Sequence, residues 1–295
     1  MEKKIMENII GLITARIGSK RFPKKNIKLF LDHPLVAWSI IQLRCSKYID
    51  KVFLTTDSEE IANIGENYGA EIIMRPVLDD DISANHVLKM AIEELEKNNI
   101  FTKNIFYSLP TSPLKKLNDI DNMIEYFNAL LVNTKEMEPY CPEKECNIFE
   151  NINDLNLINY NKPYYLKSRI KNKNYKYSRY IGGWGIGEKN YLMDKWNSLG
   201  NSDYKIDSIY YNEDVSSSKI ELGYAIEPWQ CFETDYENYF YLCESLMKQF
   251  ITGEKGIDIY IEYANKILGK NIIYKKEEKQ LEFNLDKYVG NLNQQ

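Results

Sequence analysis

Asn8-Ile-Ile-Gly-Leu-Ile-Thr14, followed at once by Ala15-Arg-Ile-Gly-Ser-Lys-Arg-Phe-Pro-Lys-Lys-Asn26, decides how the chain is read. The first stretch is a continuous apolar run, the pattern of a strand buried on both faces of a parallel sheet. The second packs Arg16, Lys20, Arg21, Lys24 and Lys25 into one loop of a chain whose formal charge is −5. Gly18 and Ser19 allow a turn whose backbone N–H groups converge on an anion. Arginine grips phosphate oxygens bidentately, and lysine adds a mobile point charge. The spacing is not the Walker pattern, which sets two glycines ahead of Lys-Ser/Thr. A solvated basic loop is the plainer alternative. The position at a strand's carboxyl end, where open α/β sheets bind ligands, favours an anion site.

Outward from this stretch, strands and helices alternate. Pro34 to Ser46 has helical spacing with proline at its start. Lys51 to Thr56 reads as a second strand, and Ser58 to Tyr68 as a helix with Ser58 as N-cap and Glu59 and Glu60 in its first turn. Gly69 ends that helix. Glu71 to Met74 is a short strand, Ala84 to Lys97 a helix, Asn104 to Leu109 a strand and Asp119 to Leu131 a helix behind Asn118. The expected fold class is therefore α/β, a doubly wound, mostly parallel sheet. From Asn133 to Ile220 the pattern weakens. Lys162 to Arg179 suggests exposed hairpins or an arm. Tyr180 to Gly187 reads as a strand with bulges or a close backbone approach. Lys219 to Ile226 reads as a strand, and Asp235 to Phe250 and Ile257 to Leu268 as helices, before a Lys/Glu-rich end.

The chain has 295 residues, 44% of them hydrophobic and 27% charged, which is enough to build a sizeable core. Acids exceed bases by 43 to 38, against a broad nucleic-acid surface but compatible with a pocket for one triphosphate. No stretch approaches the roughly 20 apolar residues of a bilayer span. Ile9 to Ile13 ends at Arg16 with no small-residue cleavage site, and the five cysteines are odd in number. A cytoplasmic protein without a membrane or nucleic-acid partner is expected. With only two histidines, zinc sites and His-based triads are poorly supplied.

The motif at 15–26 resembles the nucleotide-binding signature of the CMP-acylneuraminate synthetase family through Ala15, Arg16, Ser19, Lys20, Pro23, Lys25 and Asn26. Arg21-Phe22-Pro23 is also similar to Kdo cytidylyltransferases, while Lys25-Asn26 favours the sialate branch. Thr55-Thr56-Asp57, Gly69-Ala70-Glu71, Arg75-Pro76 and Pro110-Thr-Ser-Pro-Leu114 follow in matching order. The resemblance implies a Rossmann-like nucleotidyltransferase domain over 1–250, an inserted dimerisation arm over about 140–225, and a C-terminal extension over 251–295. It implies a homodimer that joins CTP to an acidic sugar of nonulosonic type, giving a CMP-sugar and pyrophosphate. Kdo, another acidic sugar or a phosphonate as acceptor, and a nucleotide-binding protein without catalysis, are the alternatives.

By the same resemblance Arg16 and Lys20 hold the β- and γ-phosphates, Lys25 the α-phosphate, and Asn26 the cytosine edge. Arg75 and Ser83 complete the base and ribose pocket, and Thr111 and Ser112 line the CTP site. A surface salt bridge is the alternative for Arg75, and helix capping for Ser83. Mg²⁺ is the implied cofactor. The family's aspartate pair corresponds to Glu233 and Asp235, two acids at i, i+2 that an extended segment turns to the same side. Glutamate in place of aspartate shifts the carboxylate by about 1.5 Å. Capping the next helix is the alternative for Asp235, and Asp57 either acts near the phosphates or caps the helix at 58, with the cap favoured. On the acceptor side the family's glutamine is Leu109 and its arginine is Lys115. Lys167, Arg169, Arg179 and Tyr180 are the remaining acceptor candidates, with simple solvation as the alternative for the cations. Gly182 to Gly187 lacks dinucleotide-binding spacing, Cys141 and Cys146 have no second pair for zinc, His33 reads as a loop residue, and Asp79 to Asp81 as a solvated cluster or cap.

Overall fold

The apolar run at the N-terminal end forms strand β1 (Ile9–Ala15), and its side chains alternate between two cores. Ile9, Ile13 and Ala15 join one buried cluster, while Ile10 and Leu12 join the other. Strand β4 (Ile49–Thr56) does the same, with Val52 and Leu54 on the first side and Phe53 on the second. A strand covered on both faces has no polar side to show, which is why the run carries no alternation in its sequence. The computed structural model describes residues 9–79, 82–129, 134–142, 178–180, 183–198 and 220–275.

The hairpin strands β2 (Leu29–Phe30) and β3 (His33–Pro34) stand apart from the main sheet. That sheet continues with β5 (Glu71–Met74), β6 (Asn104–Ser108), β7 (Thr134–Pro142), β8 (Ser178–Tyr180), β9 (Trp184–Glu188) and β10 (Ile220–Ala225). Its order is β10-β7-β9-β6-β1-β4-β5, with β8 beside β7. β5, β4, β1 and β6 are mutually parallel. β9 runs antiparallel between β6 and β7, so the sheet is mostly but not wholly parallel. The stretch expected as one bulged strand over 180–187 is split between β8 and β9.

Helices α1 (Leu35–Arg44), α2 (Glu59–Asn67) and α4 (Asp119–Ala129) pack with the first core. Helices α3 (Ala84–Lys97) and α5 (Lys189–Ser198) cover the second, through Leu88, Ala91, Ile92, Leu95, Leu192 and Trp196. This is the expected doubly wound arrangement. Ser58 caps α2 by accepting the Ile61 N–H at 3.4 Å, and Gly69 leaves that helix at φ 83°, a conformation open to glycine. Every residue of α1 from Leu35 to Leu43 is buried. Its outer side is covered by α7 (Asp258–Ile267), whose Tyr260 packs edge-on to Trp38. Helix α6 (Glu237–Met247) begins two residues later than the expected Asp235 and continues as one wide turn over Lys248–Thr252.

β1 is followed in sequence by strands on one side and then by β6 on its other side. That reversal of strand order makes the crevice beyond the carboxyl ends of β1 and β6 the topological switch point.

Candidate active site

Three segments meet at the switch point: the loop after β1, the loop after β6 and the turn before α6. The β1 loop tightens through the Ser19 N–H to the Ile17 carbonyl, and Lys24 adopts φ 55° ahead of a single 3₁₀ turn over Lys25–Ile27. Aromatic packing then anchors α6 to this loop. Phe240 sits edge-on to both Phe22 and Phe30, with ring centroids 5.3 and 5.2 Å away, and Glu244 accepts the Leu31 N–H at 2.8 Å. Docking of α6 carries the preceding turn to the cations.

Lys25 Nζ lies 2.5 Å from Asp235 Oδ1, and Arg21 Nη1 lies 3.0 Å from Asp235 Oδ2. Asp235 therefore does not cap the helix; the residue before α6 is Tyr236 and makes no side-chain cap. The expectation that Glu233 and Asp235 share one side of an extended segment is also corrected. Thr234 and Asp235 form a turn, tied down where the Thr111 carbonyl accepts the Thr234 N–H at 2.8 Å. Glu233 Oε1 instead accepts the Ser112 hydroxyl at 2.9 Å. A turn rather than a strand places successive side chains without period-2 alternation.

Gly183 is the third party to the Ser112–Glu233 contact. A Cβ there would lie 1.7 Å from Ser112 Oγ and 3.1 Å from Glu233 Oε1, and the Gly183 carbonyl accepts the Leu109 N–H at 2.6 Å. The close backbone approach anticipated for this glycine-rich stretch is thus made against the β6 loop.

Asn26 is buried and donates from Nδ2 to the Arg16 carbonyl at 2.8 Å, leaving its Oδ1 buried without a protein partner. Arg75 is not on the surface. It pairs through Nη1 with Asp57 Oδ2 at 3.4 Å, the two side chains being 7% and 5% exposed. Its Nε is likewise buried and unpartnered. Burial pulls the guanidinium below its ordinary range, Asp57 opposes this, and the charge of Arg16 acts with burial. Asp57 does not cap α2, because Ser58 does; its Oδ1 accepts the Ile17 N–H at 3.1 Å. Ser83 is the N-cap of α3, accepting the His86 N–H at 3.2 Å, so its capping alternative is realised. Arg16 and Lys20 stand on the β1 loop, Arg16 half-buried and Lys20 exposed.

Lys167 and Arg169 lie outside the described residues. Arg179 and Tyr180 enter as backbone of β8, in register with Cys141 and Tyr140. His33 is a hairpin residue, its Nδ1 2.7 Å from the Tyr68 hydroxyl.

Sequence reasoning missed two features. Arg21, read as part of the loop's charge and of the Arg21-Phe22-Pro23 motif but not as a site residue, shares Asp235 with Lys25. Lys115 is fully buried beneath the β6 loop, 2.5 Å from the Ser112 carbonyl and 3.3 Å from Gln42 Oε1, with its ammonium 5.6 Å from the centroid of the Trp184 ring. Burial pushes its pKa down to about 7, against the opposing pull of Asp119 and Glu233. Nothing in the local sequence marks this lysine as interior.

Among the described residues no three His, Cys, Asp or Glu side chains gather as a metal cage. Glu233 and Asp235 nonetheless fit a magnesium ion in chemistry, since Mg²⁺ takes one or two carboxylates and fills its shell with water and substrate phosphates.

The fold resembles that of a CMP:2-keto-3-deoxy-manno-octonic acid synthetase complexed with CTP. The TM-score is 0.60 at 12% identity, covering 82% of this chain and 99% of that one. It also resembles a cytidylyltransferase from Leptospira borgpetersenii serovar Hardjo-bovis (strain JB197), with TM-score 0.54, 18% identity and coverage of 92% and 98%. In sequence the chain is 34% identical over 126 residues to the N-acylneuraminate cytidylyltransferase of Escherichia coli O18:K1:H7 (strain RS218 / NMEC), which is 41% of this chain and 29% of that protein. It is 35% identical over 125 residues to the pseudaminic acid cytidylyltransferase of Campylobacter jejuni subsp. jejuni serotype O:23/36 (strain 81-176), 41% of this chain and 53% of that protein. The match thus spans about half or less of these curated relatives. Residues 10–174, more than half of the chain and including the β1 loop, match the model of one family. The chain belongs to the cytidylyltransferase family.

Proposed function

We propose that this protein transfers a cytidylyl group from CTP to an acidic sugar of nonulosonic type (sialic, legionaminic or pseudaminic), releasing pyrophosphate. The observation that carries the reading is the convergence of Lys25 and Arg21 on Asp235 at the carboxyl end of β1. Two cations and an acid at a sheet's switch point are the parts that triphosphate chemistry uses.

In this reading the acceptor's hydroxyl oxygen bonds to the α-phosphorus while the bond to the bridging oxygen of pyrophosphate breaks. The hydroxyl proton leaves to solvent. Negative charge grows on the α-phosphate oxygens and the leaving group, so preplaced cations lower the barrier. Lys25 acts on the α-phosphate, and Arg16, Lys20 and Ser19 on the β- and γ-phosphates. The orphaned acceptor on Asn26 and donor on Arg75 suit a pyrimidine edge, because buried polar atoms normally have partners. Thr111 and Ser112 complete the CTP pocket. Glu233 and Asp235 would hold Mg²⁺, which when bound offsets phosphate charge. Lys167, Arg169, Arg179 and Tyr180 remain the proposed acceptor contacts. A homodimer formed through residues about 140–225, acting in the cytoplasm, belongs to the same proposal.

A pyrophosphate-release screen of CTP and Mg²⁺ against nonulosonic acids, Kdo, other acidic sugars and phosphonates tests this. Turnover is expected with a nonulosonic acid. Turnover with Kdo or a phosphonate alone would reassign the acceptor, and CTP binding without pyrophosphate from any acceptor would leave a nucleotide-binding protein.

A further inference from the structure

The register of three neighbouring strands places Asp57 between two parts of the site. Ala15 pairs with Thr56, and Thr56 pairs with Met74. Arg16, Asp57 and Arg75 each stand one residue beyond these paired positions, at the carboxyl ends of β1, β4 and β5. Asp57 has no capping duty, because Ser58 serves α2 and the Thr56 hydroxyl accepts the Ser58 N–H. Its two oxygens are divided instead. Oδ1 takes the Ile17 N–H at 3.1 Å and Oδ2 the Arg75 Nη1 at 3.4 Å. Arg75 is further held from its own strand end, with its N–H on the Thr56 carbonyl and Nη1 on the Pro76 carbonyl.

We propose that Asp57 is a positioning residue that ties the phosphate-binding loop after β1 to Arg75, so that one buried carboxylate sets the relation between the two ends of the nucleotide site. The proposal rests on the reading of this site as one for CTP. Asp57 is 5% exposed, so water competes poorly for either of its bonds and the tie is stiff. With Nη1 committed to Asp57 and Pro76, Nε is the buried nitrogen of Arg75 left without a protein partner. Asp57 needs no contact with the substrate to act: it fixes the backbone beside Arg16 and the plane of the Arg75 guanidinium.

The test is calorimetric titration of wild type, Asp57→Asn, Asp57→Glu and Arg75→Met, below their melting temperatures, with CTP, CMP and tripolyphosphate. Tripolyphosphate reads the loop alone; CMP reads Arg75 together with Lys25 and Asn26 of the loop. The Asp57→Asn loss on CMP is therefore also measured in the Arg75→Met background, where the tie predicts a smaller loss and a loop effect alone an equal one. Wild-type protein that ignores CTP would sink the CTP reading itself. Given wild-type binding, Asp57→Asn is expected to weaken CMP and tripolyphosphate together by about tenfold or more each, the scale of losing one hydrogen bond to a charged group. Arg75→Met is expected to weaken CMP while tripolyphosphate stays near wild type. Asp57→Glu, which keeps the charge, is expected to weaken both probes by less than the amide. It also keeps the question open to measurement if the amide does not fold. A folded Asp57→Asn with wild-type affinity for both probes and only a lower Tm would reduce Asp57 to a structural residue and overturn the tie. Weakening of a single probe would overturn it equally.

Discussion

Lys115 shows how one residue can carry an interior cost for a loop. Its ammonium is spent on the Ser112 carbonyl, Gln42 and the Trp184 ring, and its own carbonyl accepts the Tyr260 hydroxyl. The lysine becomes neutral in the folded protein above a pKa of about 7, whereas in the unfolded chain it stays protonated up to about 10.5. Between those values unfolding takes up a proton, so stability rises with pH through that window and is flat below it. We expect the Tm of wild type minus that of Lys115→Met to increase from pH 7 towards pH 10. A difference independent of pH would place the ammonium in contact with solvent. At Lys25 the expectation concerns rate. If Lys25 acts on the α-phosphate as proposed, Lys25→Ala should lower kcat by about a hundredfold or more. Unchanged pyrophosphate release would remove Lys25 from the chemistry.

Among the elements, the two loops and the turn at the switch point are held by contacts that pairwise sequence reading does not contain. Gly183, at the entry to β9, is there because Ser112 and Glu233 occupy the space of a side chain. Gly183→Ala must push the β6 loop away, and overpacking of this kind costs about 1–3 kcal/mol. Chemical denaturation should show the loss, and Ser112→Ala in the same background should recover part of it; an unaltered midpoint would mean the loop yields freely. The turn before α6 makes a different prediction. Asp235→Asn removes the acid from between Lys25 and Arg21; if Asp235 also holds Mg²⁺ as proposed, the Mg²⁺ concentration for half-maximal pyrophosphate release should rise sharply. Normal metal dependence would put the ligands elsewhere.

For the molecule as a whole, residues after Gly253 contribute to the same core as β1. Ile257, Tyr260, Ala264 and Ile272 are all buried in the cluster that contains Trp38. Lys270 holds the carbonyls of Arg44, Ser46 and Ile49 beyond the end of α1. Helix α1, buried along its length, would otherwise face water with apolar residues on every side. A chain ended at Gly256 is expected to lose its cooperative thermal transition, and a sharp transition near the full-length Tm would show that α7 is dispensable. No helix among the described residues is long and apolar enough to cross a membrane.

The amino-acid sequence by itself determined β1, its cationic loop, the alternation of strands and helices to residue 129, and the ends of α2 and α3. Those features follow from local physics: apolar runs, caps and the conformational freedom of Gly69 act over a few residues. Only the tertiary structure decided that Asp57 binds Ile17 and Arg75, that Asp235 meets Lys25 and Arg21, and that Lys115 is interior. Each of these pairs residues far apart in the chain, through strand register or the docking of α6 and α7. Local propensity is blind to such partners, because burial and charge pairing are set by which distant segments the packed core brings together.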